Sequence, residues 1–231
     1  MCGRYVLHVH LSEITDEFEI YDVDWVWVRN FNIAPGNDVP AVVSESPNRL
    51  VAFRWGLIPH WAKEEAIGYK MINARAETIA QKNAFSRALK SQRCIIPANG
   101  FYEWRTEITR KRKTPFYIKL RSNRLMGFAG LYDKWKSPDG KVISSCTIIT
   151  TQPNELIEPL HNRMPAIIEP DKRKLWLDKM IQDPDELLPL LKPYNANELE
   201  AFEVTSQVNS QKFNNPDCIK PIKNTESPAL F

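Results

Sequence analysis

Arg93-Cys94-Ile95-Ile96-Pro97-Ala98-Asn99-Gly100-Phe101-Tyr102-Glu103-Trp104 reads as two strand-forming runs, near 93–97 and 100–105, with Glu103 set inside an aromatic strand. Ile, Phe, Tyr and Trp favour the pleated, half-buried surface of a sheet. Downstream, similar runs occur near 115–121, 125–132 and 142–150. Upstream, residues 1–10 alternate as a strand that would anchor the N-terminus, and 39–44 and 50–55 flank a turn at Pro47-Asn48. Segments 163–168 and 200–205 read as further strands. Helices are fewer. One is expected after an N-cap at Ser12, with Ile14 and Phe18 on one face, and one over 79–90, with Ala80, Phe85 and Leu89 inward. A short one opens at Pro153-Asn154 and stops before His161, and two more fall near 171–178 and 184–191. Strands dominate without regular β-α-β spacing. The expectation is a single α+β domain over 1–222, with a curved, largely antiparallel sheet or barrel-like core, peripheral helices, and a flexible tail at 223–231.

A chain of 231 residues, 43% hydrophobic and 26% charged, is long enough to bury a substantial core and ordinary for a globular protein. Its net charge of +3 does not by itself mark a nucleic-acid binder, so any such site must come from local clustering. The densest basic block, Arg110-Lys111-Arg112-Lys113, sits between two strands and reads as a solvated hairpin turn. Cys2, Cys94, Cys146 and Cys218 form no CxxC pair, and His8, His10, His60 and His161 show no zinc spacing, so neither metal nor cofactor is expected. His8 and His10 alternate, as on one strand face. There is no apolar run long enough to span a membrane and no signal-peptide pattern, which implies a cytoplasmic protein with reduced thiols.

The N-terminus, Met1-Cys2-Gly3-Arg4, carries the most specific chemistry. A small second residue allows removal of Met1, which would leave Cys2 with a free α-amine beside its thiol. The amine titrates near pH ~7.7–8.0 and the thiol near ~8.5, so both are partly nucleophilic. The amine can form a Schiff base with an aldehyde and the sulfur can then close a five-membered ring. Other polar blocks interrupt the apolar pattern. Asn32-Ile33-Ala34-Pro35 follows a Trp-rich segment, and Trp55-Gly56-Leu57-Ile58-Pro59-His60-Trp61 sets two tryptophans around a glycine and a proline. In Ile72-Asn73-Ala74-Arg75-Ala76-Glu77-Thr78 the Asn, Arg and Glu would share one face of an extended segment. Leu160-His161-Asn162-Arg163-Met164-Pro165 puts His161 at a helix-to-strand junction. Taken singly, each block also reads as a solvent face, a core aromatic or a loop-bonding histidine.

Together, in this order and spacing, the blocks Met1-Cys2-Gly3-Arg4, Asn32-x-Ala34-Pro35, Trp55-Gly56-Leu57-Ile58-Pro59, Ile72-Asn73-Ala74-Arg75-x-Glu77-Thr78, Arg93-Cys94-Ile95-Ile96-Pro97-Ala98, Phe101-Tyr102-Glu103-Trp104 and His161-x-Arg163-Met164-Pro165 resemble the SOS-response-associated peptidase (SRAP) family, of the bacterial and phage type. The match spans about residues 1–168, with a weaker continuation to about 220. The resemblance implies a protein of the DNA-damage (SOS) response that binds single-stranded DNA and captures abasic sites covalently through Cys2 as a thiazolidine. It implies Glu103 as the acid/base beside Cys2, His161 for sugar ring opening and proton exchange, and Asn73 to hold the sugar or intermediate. Arg4, Arg75 and Arg163 would contact phosphates, and Pro35, Trp55 and Trp61 would stack on or wedge against flanking bases. The expected partner is single-stranded DNA with abasic sites, bound by a monomer. Three alternatives stand beside this. One is a cysteine peptidase, or an activity limited to clipping Met1. Another is an N-terminal-nucleophile glutamine amidotransferase, which also starts Met-Cys-Gly but continues with an apolar residue instead of Arg4. The third is a non-catalytic single-strand binding module.

Overall fold

The structure, a computed structural model, describes residues 2–45, 47–107 and 112–222. Ser46 beside the expected turn, Arg110 and Lys111 of the basic block and the expected tail at 223–231 lie outside the described residues. In chain order the elements are β1 (Tyr5–Leu7), α1 (Leu11–Glu17), β2 (Ile20–Val23), β3 (Asn30–Ile33), β4 (Asp38–Val43), β5 (Asn48–Trp55), β6 (Asn73–Arg75), α2 (Ser86–Ser91), β7 (Arg93–Ala98), β8 (Gly100–Glu107) and β9 (Arg112–Leu120). They continue as β10 (Met126–Lys136), β11 (Val142–Thr151), β12 (Met164–Pro165), α3 (Arg173–Leu177), α4 (Pro184–Leu187) and β13 (Leu199–Glu203), with short 3-10 turns between.

The α+β architecture with largely antiparallel sheets matches the sequence expectation. Five strands close on themselves. β11 pairs with β10, β10 with β7, β7 with β4 and β4 with β5, all antiparallel, and β5 returns to β11 in parallel at Ser145↔Arg54 and Cys146↔Trp55. Closure removes free edges. All six residues of β7 are buried, because barrel core lies on one face of that strand and packed chain on the other. A second sheet runs β13-β9-β8-β1-β3. Strand alternation in that sheet divides the side chains. Tyr5, Leu7 and Phe101 enter the main core, while Val6, Tyr102 and Tyr117 form a separate cluster with Val208 and Cys218. At the β7–β8 junction Gly100 is required sterically: a Cβ there would collide with the Ile118 carbonyl oxygen on β9.

The helices depart from the pattern-based expectation. The 79–90 helix shrinks to Ser86–Ser91. Its first half runs as successive turns, with the Gln81 and Lys82 amides on the Thr78 carbonyl and those of Phe85 and Ser86 on the Lys82 carbonyl. Buried Ile79 and Phe85 pin this stretch to the core, and tertiary packing overrides the 3.6-residue periodicity. Helix α1 is capped by His10 instead of Ser12: the His10 amide donates to Glu13 Oε1 at 2.9 Å. Residues 155–160 form turns rather than a helix, and only Met164 and Pro165 of the 163–168 run pair as a strand, with a further bridge at Ile167. Among the described residues no helix is long and apolar enough to cross a membrane.

Candidate functional site

Strand β1 lies inside the second sheet, between β8 and β3, so the residues just before it are drawn into the protein. The Tyr102 amide bonds to the Arg4 carbonyl at 3.0 Å, which sets the N-terminal segment alongside β8 next to Glu103. Cys2 is fully buried within the main core. Burial, and after it the Glu103 charge, pushes the Cys2 thiol far above its ordinary range, so it is held as the neutral thiol. Glu103 is itself 2% exposed. Burial raises its carboxyl from 4.5 to about 7. A carboxyl poised there exchanges protons at neutral pH.

His161 brings the imidazole to this pair: its Nδ1 is 4.0 Å from Glu103 Oε1. Burial lowers its pKa below 6.5, which favours the neutral ring. The Arg163 amide lies 3.1 Å from Nδ1 and the Arg163 carbonyl oxygen 3.3 Å from the same nitrogen, so the backbone two residues on holds the ring. The structure therefore gathers Cys2, Glu103 and His161 from three widely separated stretches of the chain.

The remaining candidates divide. Asn73 leads β6, whose backbone pairs with β11 at Ile148. Its Nδ2 donates to the Ile148 carbonyl at 3.4 Å, and its Oδ1 is buried with no hydrogen-bond partner among the described residues. The common face expected for Asn73, Arg75 and Glu77 ends at Arg75, where the chain enters a 3-10 turn. Arg75 is exposed, Trp61 is half exposed and Pro35 partly so, which leaves all three accessible. One expectation needs correction, and two of the arginines have partners within the protein. Trp55 is 1% exposed, packs edge-on against Tyr5 and donates its indole N–H to the Ile72 carbonyl at 2.8 Å, so it is a core residue and cannot stack on a base. Arg163 donates to Glu77 at 2.7 and 2.9 Å and to the Thr150 carbonyl at 2.6 Å. Arg4 donates to Asn32 Oδ1 at 2.7 Å and to the Val208 carbonyl at 2.9 Å, bracing the C-terminal segment.

Two features escaped the sequence reading. Glu77 stands in the 72–78 motif with no chemistry that marks it, and the available signal is the pairing of opposite charges in two separate motif blocks. Asp133, 3% exposed, accepts from the His60 amide, His60 Nδ1, Arg87 and Gln92, and no local pattern announced it. Among the described residues no group of three or more His, Cys, Asp or Glu side chains is placed to hold a metal ion.

A barrel-cored α+β domain with its N-terminal cysteine enclosed beside a carboxyl and an imidazole defines the class. The chain belongs to the SOS response associated peptidase (SRAP) family, whose model matches residues 1–211. It is 48% identical over 223 residues to the abasic site processing protein YoqW of Bacillus subtilis (strain 168), covering 95% of this chain and 99% of that one. It is 48% identical over 222 residues to YoaM of the same organism, also named an abasic site processing protein, covering 95% and 97%. A crystal structure of a protein from Bacteroides thetaiotaomicron superposes with a TM-score of 0.87 at 26% identity, covering 95% of this chain and 99% of that one.

Proposed function

We propose that this protein processes abasic sites in single-stranded DNA by capturing the sugar aldehyde at Cys2 once Met1 has been removed. The observation that carries the reading is the enclosure of Cys2 with Glu103 and His161, in a chain that matches abasic site processing proteins along nearly its whole length. The freed α-amine of Cys2 adds to the aldehyde carbon of the open-chain sugar, and water leaves to give an imine. The Cys2 sulfur then forms a C–S bond to the same carbon. The thiol proton passes to Glu103 and from there to the nitrogen, closing a thiazolidine with loss of one water overall. A thiol held neutral by burial needs such a base, and a carboxyl near pH 7 is matched to the task. His161, 26% exposed at its side chain against 2% for Glu103, gives that buried carboxyl a proton exchange partner nearer solvent and serves opening of the closed sugar. Asn73 Oδ1, which has no hydrogen-bond partner among the described residues, supplies an acceptor for a sugar hydroxyl. Trp61, Pro35 and Arg75 form the accessible part of the strand-binding surface, which tolerates any sequence.

The test is a denaturing gel with abasic single-stranded DNA. Wild-type protein is expected to give a shifted, denaturant-resistant band and Cys2→Ala none. A wild-type lane without the band overturns the reading. Retained native binding in Cys2→Ala alongside that missing wild-type band would point to a simple binding module.

A further inference from the structure

We infer that Glu77 is a positioning residue for the Cys2 site: its carboxylate clamps Arg163, and the Arg163 backbone in turn holds the His161 ring in one tautomer beside Glu103. This rests on the function proposed above. Glu77 lies in the 3-10 turn that follows β6, and Arg163 lies just before β12. Both segments flank β11 at the same level, where Thr150 is in register with Arg75 on one side and Pro165 on the other. The clamp ties them together. Arg163 Nη1 and Nη2 meet the two Glu77 oxygens at 2.7 and 2.9 Å, a two-point contact that fixes the plane of the guanidinium. A third bond, Nη2 to the Thr150 carbonyl, anchors that plane to the strand.

A partly exposed ion pair adds little stability by itself. Its geometric effect is larger, because of what the Arg163 backbone touches. Its amide donates to His161 Nδ1 at 3.1 Å, while its carbonyl oxygen lies 3.3 Å from the same nitrogen. Two opposite arrangements are therefore within reach. With the amide engaged, Nδ1 accepts and the proton resides on Nε2. With the carbonyl engaged, Nδ1 carries the proton. A fixed Arg163 keeps its amide, the shorter of the two contacts, on the Nδ1 lone pair, which selects the first arrangement with the ring proton on Nε2.

Histidine ring nitrogen spectra of the free protein, with no DNA present, read the tautomer directly. Wild type is expected to show a protonated Nε2 and an unprotonated Nδ1 at His161. Glu77→Ala is expected to show a mixture or the reverse, with Glu77→Gln intermediate because it keeps an acceptor but not the charge. On abasic DNA the capture rate should fall between about 10- and 100-fold in the alanine variant. An unchanged tautomer and unchanged rate in folded Glu77→Ala overturn the inference. If that variant does not fold, Glu77→Gln carries the same two measurements. Wild-type protein that fails to capture abasic DNA, while Glu77 variants still move the His161 tautomer, sinks the proposed function and leaves the clamp standing.

Discussion

Replacing Glu103 by glutamine should make the protein more stable, and only above a definite pH. The carboxyl is 2% exposed, and burial shifts its midpoint from 4.5 to about 7. Below pH 4.5 both folded and unfolded chains hold the proton, and nothing is lost. Between 4.5 and about 7 the unfolded chain releases it while the folded chain retains it, so stability falls as pH rises. Above about 7 the folded chain carries a buried anion and the full penalty applies. At about 1.4 kcal/mol for each pH unit of displacement, the penalty is about 3 kcal/mol. The amide of the Glu103→Gln variant has no proton to lose, and its profile across this window is flat. Any fixed cost of fitting that amide is the same at every pH and drops out of the comparison. The assay is urea unfolding of both proteins at about pH 4.5 and about pH 8.5, with stability taken from the midpoint and slope. The advantage of Glu103→Gln over wild type should grow by about 3 kcal/mol from the lower pH to the higher. An advantage that stays constant, or shrinks, would refute the claim that this carboxyl is forced to ionise in an apolar enclosure. The same variant should slow abasic-site capture by about 10²- to 10⁴-fold, since it removes the base. Stability gained where activity is lost is the mark of a group retained for chemistry.

Asp133 should behave in the opposite sense. Burial alone would raise its carboxyl, but the donors from His60, Gln92 and its own neighbour Lys134 outweigh it and hold the pKa below 3.8. A lowered folded value contributes stability that is present above 3.8 and lost as the pH falls below that toward the folded value, so Asp133→Asn should cost about 2–3 kcal/mol at neutral pH, with the deficit closing in acid. A pH-independent deficit would contradict this. Gly56→Ala should cost at least about 2 kcal/mol in urea unfolding. Gly56 sits at φ +133°, and a Cβ there would stand 2.8 Å from the Gly68 carbonyl oxygen. A near-neutral result would show that the two loops can separate.

How much of this was legible in the chain depends on how far each determinant reaches. The strands from 93 to 151 follow from local composition, because alternating or continuous β-prone runs specify a pleated surface without knowledge of their partners. Barrel closure is different. It rests on the parallel return of β5 to β11, about ninety residues away, and no local pattern encodes that pairing. The shortened helix at Ser86–Ser91 departs from its pattern for a related reason, since Ile79 and Phe85 obey helical spacing but are fixed by what they bury against.

The site shows the same division more sharply. Cys2, Glu103 and His161 could be nominated because each residue type has chemistry of its own, and a motif marks its place. Arg163 could be nominated too, but its role could not be read. An arginine in a motif presents the same letter whether it meets a phosphate or a carboxylate, and the carboxylate it pairs with here, Glu77, is 86 positions away. Trp55 misleads in the same way: the side chain that could stack on a base is equally suited to the core, and burial alone distinguishes the two. Residues with reactive chemistry of their own could be nominated from the sequence, while contacts that hold another residue became visible only with their partners. On this reasoning the support around a reactive centre is where sequence motifs mislead most, because an anchored arginine and a free one are alike in type but opposite in availability to a ligand. Glu77 is the case in point. Its carboxylate pairs with Arg163, whose backbone lies against the imidazole.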